Sequence, residues 1–160
     1  AEDAVDSKFQ SYVNLAFGEV MLKMKTGETW NRMQWAKAGN SMQAVMQGGH
    51  QTTGKTRAQW KAMMPSSSLQ PYCNVEGFNT LKYGGGWWDT GYYGVMRQRL
   101  GIVANQENNC GSCDSRLGIG GGGSYCGPNS VASYAAGNFA YCSADAGDRS
   151  TQAIGYLYVR

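Results

Sequence analysis

Asn105-Gln-Glu-Asn-Asn-Cys110-Gly-Ser-Cys113-Asp-Ser-Arg-Leu-Gly-Ile-Gly120-Gly-Gly-Gly-Ser-Tyr-Cys126 gathers cysteines, carboxylates, amides and a run of glycines into one short span. Gly120 to Gly123 offer no side chain to bury and lose more conformational freedom on ordering than other residues. Such a run stays ordered only when something else fixes it. Cys110, Cys113 and Cys126 flank it and can close it into a covalently fastened loop that turns backbone polar groups towards a ligand. Glu107, Asp114 and the amides of Asn105, Gln106, Asn108 and Asn109 supply hard oxygen donors, the chemistry calcium prefers. The same composition also suits an irregular, disulfide-pinned loop without metal, and both readings stand at this point.

Upstream, Leu100, Ile102 and Val103 mark a core strand that feeds into this stretch. Before it comes Tyr83-Gly-Gly-Gly-Trp87-Trp88-Asp89-Thr-Gly-Tyr92-Tyr93-Gly94, aromatics set in glycine rather than among core-forming Val and Ile. Rings in such company either pack down as a lid over a loop or serve as stacking surfaces. Pro65 to Pro71 reads as a polar, proline-bounded loop that delivers Cys73. Downstream, Ser130 to Cys142 has no firm periodicity, and Asp145, Asp148 and Arg149 mark a turn. Ala153-Ile-Gly-Tyr-Leu-Tyr-Val-Arg160 alternates with both faces apolar, the pattern of a central strand.

Towards the N-terminus, Phe9, Tyr12, Val13 and Ala16 fall on one helical stripe. Val20, Leu22 and Met24 then alternate with Met21, Lys23 and Lys25, and Thr26-Gly27-Glu28 breaks the run before Trp30, Met33 and Trp35. This predicts a β-hairpin with one core face and one wet, lysine-bearing face. Short helices are predicted over Ser41–Gln47 and Thr56–Met64. In the second, Thr56 caps, Trp60, Met63 and Met64 face the core, and Pro65 terminates. His50 falls in the glycine-rich loop between them, and as the only histidine it cannot anchor a His-rich zinc site.

With 160 residues the chain is read as a single domain spanning 1–160, long enough for a real core. Charged residues make up 16%, below the usual quarter, while 23 glycines and 10 tyrosines suit a loop-rich extracellular domain with an aromatic surface. A net charge of +3, with scattered Lys and Arg, does not point to nucleic acid. The absence of an apolar run of membrane-spanning length argues against membrane insertion. Five cysteines without zinc-finger spacing point to an oxidising compartment and two disulfides, hence secretion, with one cysteine over.

The last third of the chain resembles the C-terminal half of fibrinogen-related lectins, most of all the intelectins. Three landmarks carry it: Asn105-Gln106-Glu107 after an apolar strand, the Ile119-to-Cys126 glycine run, and the Ala153–Arg160 strand, with Cys73, Cys110, Cys113 and Cys126 in the family's order. Ser68 to Asn79 is also similar to a group of secreted marine-invertebrate proteins. The resemblance implies an α+β, fibrinogen C-terminal-like domain with an irregular, loop-rich, disulfide-stapled mixed sheet. It also implies Cys73–Cys113 and Cys110–Cys126 pairing, with Cys142 left over or linking chains. The family's sugar-contacting calcium uses side chains that are here replaced by Gln106, Arg116 and Gly127. A calcium held by Asn105, Glu107, Asn108 and Asp114 is accordingly expected to be structural.

The leading functional expectation is a secreted, non-catalytic lectin that binds glycans and gains avidity as a homo-oligomer. Trp87, Trp88, Tyr92, Tyr93 and Tyr125 would stack on sugar faces, and Asp89 and Asn129 would hydrogen-bond hydroxyls. The alternative is an extracellular matrix protein that uses the same surface without sugar specificity. Catalysis is not expected, because Cys110-Gly-Ser-Cys113 does not open a helix as a redox pair would.

Overall fold

The computed structural model describes residues 7–82, 96–108, 113–122, 134–141 and 147–160. The predicted hairpin is present as β1 (Phe17–Thr26) and β2 (Thr29–Gly39), closed by Gly27 and Glu28 with Gly27 at φ +58°. Val20, Leu22 and Met24 point into the core, as their alternation predicts. The C-terminal strand, β8 (Ile154–Val159), pairs with the other side of β1, giving an antiparallel sheet in the order β2-β1-β8. It is therefore an edge strand, not the central one its apolar alternation suggests. Its half-buried faces come from stacking over its neighbours rather than from strands on both sides.

Two helices follow the hairpin. In α2 (Met42–Gln47) the Ser41 hydroxyl accepts from the Ala44 N–H. In α3 (Arg57–Met63) Thr56 and Gln59 form a reciprocal capping box. Trp60, Met63 and Met64 are core, as their spacing predicts. The N-terminal stripe instead yields only one turn, α1 (Ser11–Asn14), with Phe9 and Val13 exposed and Tyr12 resting on the core.

A second antiparallel sheet runs β3 (Tyr72–Lys82), β4 (Met96–Asn105), β5 (Ser115–Gly121), β6 (Tyr134–Ala140) and β7 (Arg149–Gln152), neighbours in that order. β7 and β8 are consecutive. Ala153 donates to Ala136 O at 3.0 Å where the chain leaves one sheet for the other. Both sheets and the last two helices share one core of Val20, Leu22, Met24, Trp35, Trp60, Phe78, Leu100, Ile102 and Leu117.

This architecture overturns the α+β, fibrinogen-like mixed-sheet expectation. The described residues form a β-rich fold of two antiparallel sheets with three helices of 4, 6 and 7 residues. The expected loop character of the glycine run is also corrected, because Gly120 and Gly121 belong to β5 and Gly122 exchanges both backbone hydrogen bonds with Arg97 at 3.0 Å. Those peptide groups hold the sheet together and are not turned towards a ligand.

The reason the glycines sit in strands is a register coincidence. Gly77 pairs with Gly101, Gly101 with Gly118, and Gly118 with Gly137, a row of glycines across four strands. Gly77, Gly118 and Gly137 have φ of +134°, +148° and +150°, which side-chain-bearing residues rarely adopt. A Cβ at any of the four would lie closer than 3.0 Å to backbone: Gln51 O for Gly77, Leu117 O for Gly101, Leu100 O for Gly118, Thr151 O for Gly137. β5 bends past this row. Five residues of straight strand span about 16 Å, yet Arg116 Nε lies 3.3 Å from where a Cβ on Gly121 would sit.

The 67–70 segment, polar in sequence and expected as a loop, is buried across β5 and β6. Its backbone is satisfied by side chains. Ser68 N–H donates to Asn138 Oδ1 (2.9 Å), Gln70 N–H to Ser115 Oγ (3.0 Å), and Arg57 Nε to Gln70 O (2.7 Å). On the other edge, Glu76 binds the 52–54 loop through the Thr52 and Thr53 hydroxyls and the Thr53 and Gly54 amides, and Trp60 Nε1 reaches it at 3.3 Å.

Two predictions follow from this packing. Gly118→Ala should lower stability by about 3 kcal/mol or more, whereas Gly49→Ala, where a Cβ meets nothing within 4 Å, should stay within about 0.5 kcal/mol, read as urea midpoints. Burial pushes the Glu76 carboxyl up, but the hydrogen bonds from Thr52, Thr53 and Gly54 outweigh it and hold the carboxyl below its ordinary value of 4.5. A carboxylate so depressed stabilises the fold above pH 4.5 and loses that contribution as pH falls through its folded value. The stability gap between wild type and Glu76→Gln should therefore narrow on acidification below pH 4.5.

Candidate functional site

Register levels the strand ends of the five-stranded sheet: Tyr72 faces Asn105, Ala104 faces Ser115, Ser115 faces Ala140, and Ala140 faces Arg149. One end of that sheet consequently collects Cys73, Asn105 to Asn108, Asp114, Tyr141 and Asp148. All four residues expected to hold calcium lie here. Asn105 is the last residue of β4 and is buried, while Glu107 and Asn108 are exposed on the turn beyond it.

Asp114 is the pivot. Its N–H donates to Ala104 O at 3.0 Å and its carbonyl accepts from Tyr141 N–H at 2.9 Å, so it joins the ends of β4 and β6. The residue is 1% exposed, and its Oδ1 has no hydrogen-bond partner among the described residues. Burial, then the charge of Glu107 and that of Asp148, raise its pKa to about 7 against an opposing hydrogen bond from the Gln106 backbone. A buried carboxyl facing two other acids calls for a proton or a cation. The donors present, carboxylates and amide oxygens, are of the hard type that suits calcium. Among the described residues no group of three or more His, Cys, Asp and Glu is placed to hold a metal ion. A cation here would thus draw on amide and main-chain oxygens beside Asp114.

Two exposed rings lie at the same end: Tyr72, which opens β3, and Tyr141, which follows β6 and stacks on Phe139 at 6.2 Å and 11°. Arg116, buried, lies over the Phe139 ring at 5.2 Å. Neither tyrosine nor Asp148 is singled out as a site residue by the sequence. Asp148 reads there as a turn residue, and its approach to Asp114 depends on the pairing of β6 with β7. Nothing in the sequence marks either tyrosine, because neither β3 nor β6 is read there as a strand.

Cys73 takes part in a disulfide, and its Sγ lies within 3.9 Å of Glu107 O and 3.8 Å of Asn108 Oδ1. Cys113, which the family resemblance pairs with Cys73, is buried with Val103, Phe139 and Met96. Cys110, Cys126 and Cys142 lie outside the described residues, as do all the expected sugar-binding residues, Trp87, Trp88, Asp89, Tyr92, Tyr93, Tyr125 and Asn129. His50 is exposed in its loop, as expected, with Nε2 2.9 Å from Glu76 O. Among the described residues no helix is long and apolar enough to cross a membrane.

The chain matches no family model, no curated protein and no solved structure.

The raised Asp114 carboxyl fixes the sign of a pH effect opposite to that of Glu76. The folded state holds a proton that the unfolded chain releases near 3.8, so stability falls as pH rises from about 3.8 to about 7. Asp114→Asn should therefore match wild type near pH 4 and exceed it above pH 7. A gain on the order of 1–3 kcal/mol is expected there, because the neutral amide removes a buried negative charge. Urea midpoints across that range check it.

Proposed function

We propose that the chain is a secreted, non-catalytic carbohydrate-binding protein whose site occupies the acid-bearing end of the five-stranded sheet. The observation that carries the reading is the buried Asp114 carboxyl, with an unsatisfied oxygen, close enough to Glu107 and Asp148 to feel their charge, at a sheet end that also bears the exposed rings of Tyr72 and Tyr141. Acceptor oxygens take sugar hydroxyls, and tyrosine faces take the apolar C–H faces of sugar rings. Calcium at this end would lower the Asp114 pKa, steady the 105–108 turn and leave sugar contacts to amides and rings. The Cys73 disulfide supports an oxidising, extracellular setting. Trp87, Trp88, Asp89, Tyr92, Tyr93, Tyr125 and Asn129 remain part of the proposal on sequence grounds. An open site of this kind binds weakly alone, so a homo-oligomer supplies avidity.

A glycan array probed with the purified protein, in calcium and in EDTA, tests this. Selective glycan binding that weakens in EDTA and drops by about tenfold, roughly 1.4 kcal/mol, in Asp114→Asn is expected. Silence across the array in both conditions removes the lectin reading, and concentration-dependent assembly without any glycan affinity replaces it with a matrix role.

A further inference from the structure

The outer face of the three-stranded sheet takes no part in the site above. Antiparallel register sets Lys23 between Arg32 and Tyr156, Lys25 between Trp30 and Ile154, and Met21 between Gln34 and Tyr158. Trp30, Arg32 and Tyr158 are exposed, and Tyr156 is half-buried. Trp30 and Tyr156 stack at 5.5 Å and 24°, Tyr156 and Tyr158 meet at 6.0 Å, and Lys23 Nζ lies 4.7 Å from the Trp30 ring centre with Lys25 at 5.9 Å.

Charge on this face is one-sided. Lys23, Lys25 and Arg32 are cationic, against Glu28 at the hairpin turn, 3.4 Å from Lys25. Glu19, at the far end, is already paired with Arg160. A stripe of ring surface bordered by cations is exposed on a sheet whose opposite face is fully committed to the core. Anionic partners fit such a stripe. Nucleic-acid stacking platforms offer separate ring faces to successive bases, whereas here Trp30 is already stacked on Tyr156 and approached by the Lys23 and Lys25 ammonium groups. A pyranose needs only one ring face for its C–H surface, and its carboxylate or sulfate needs a nearby cation.

We propose that the exposed face formed by Lys23, Lys25, Arg32, Trp30, Tyr156 and Tyr158 binds acidic polysaccharide, sulfated or uronate-bearing, independently of calcium. The lysines and Arg32 bind the anionic groups, and Tyr158, the most exposed ring, takes the sugar face.

Heparin titrated into the full chain by calorimetry, in EDTA, tests it. Binding is expected to weaken as NaCl rises and to fall by about tenfold in Lys23→Gln/Lys25→Gln. It should also weaken several-fold in Tyr158→Ser, while neutral dextran does not bind. Urea midpoints near wild type show that the variants are folded. Equal heparin affinity in folded Lys23→Gln/Lys25→Gln overturns the proposal, as does poly(dT) binding as tightly as heparin, the signature of a plain polyanion or nucleic-acid surface. Because the acid-bearing end is unaltered in these variants, calcium-dependent glycan binding there can fail or succeed separately.

Discussion

Gly77, Gly101, Gly118 and Gly137 stand side by side across four strands, and the space beside each is filled by the backbone of a neighbouring segment. A side chain at this level would collide with a carbonyl, and a relaxed φ would lose the bend. Gly101 and Gly118 also constrain each other, because a Cβ on either would crowd the other's Cα as well as a carbonyl. Beyond the crease Gly121 comes back to Arg116, and beside it Gly137 lets the Thr151 carbonyl of β7 approach. β7 then delivers the chain through Ala153 to β8 and the other sheet.

Polar chemistry inside the protein follows from the same arrangement. Burying the 67–70 segment over β5 and β6 requires donors and acceptors for its peptide groups, and Asn138, Ser115 and Arg57 provide them. Asp114, by contrast, is buried by its backbone bonds to Ala104 and Tyr141 while its Oδ1 has no partner among the described residues. Ser67 Oγ and Gln70 Oε1 share with Asp114 Oδ1 the lack of a partner among the described residues. What sets Asp114 apart is that its group is a carboxyl beside the charges of Glu107 and Asp148. Glu76 shows the other limit, a carboxylate supplied with so many donors that it serves as a fastening for the 52–54 loop.

The two proposed surfaces differ in sign and in construction. The acid-bearing end depends on several strand termini meeting at one level, so its oxygens come from residues far apart in the chain. The basic, aromatic face is a property of adjacent strands alone, and period-2 alternation explains it: the odd residues of β1 that avoid the core are Met21, Lys23 and Lys25. If both proposals hold, sugar is met through cation-associated acceptors at one place and through ammonium groups and rings at another.

Local signals in the sequence sufficed wherever the determining contacts are local. The hairpin came from alternation and Gly27, α2 and α3 from Ser41, Thr56 and Pro65, and the core placement of Trp60, Met63 and Met64 from helical spacing, because caps and periods act within a few residues. Asn105, Glu107, Asn108 and Asp114 lie close together in sequence, so their position at one sheet end was legible for the same reason. The glycines, by contrast, read as loop residues one at a time, and only the pairing of four strands reveals them as one crease. The edge position of β8, the burial of Ser68 to Gln70 and the approach of Asp148 to Asp114 were likewise set by the tertiary structure. Each depends on which distant backbone lies alongside, and that relation is fixed by the joint register of strands rather than by any stretch of residues alone.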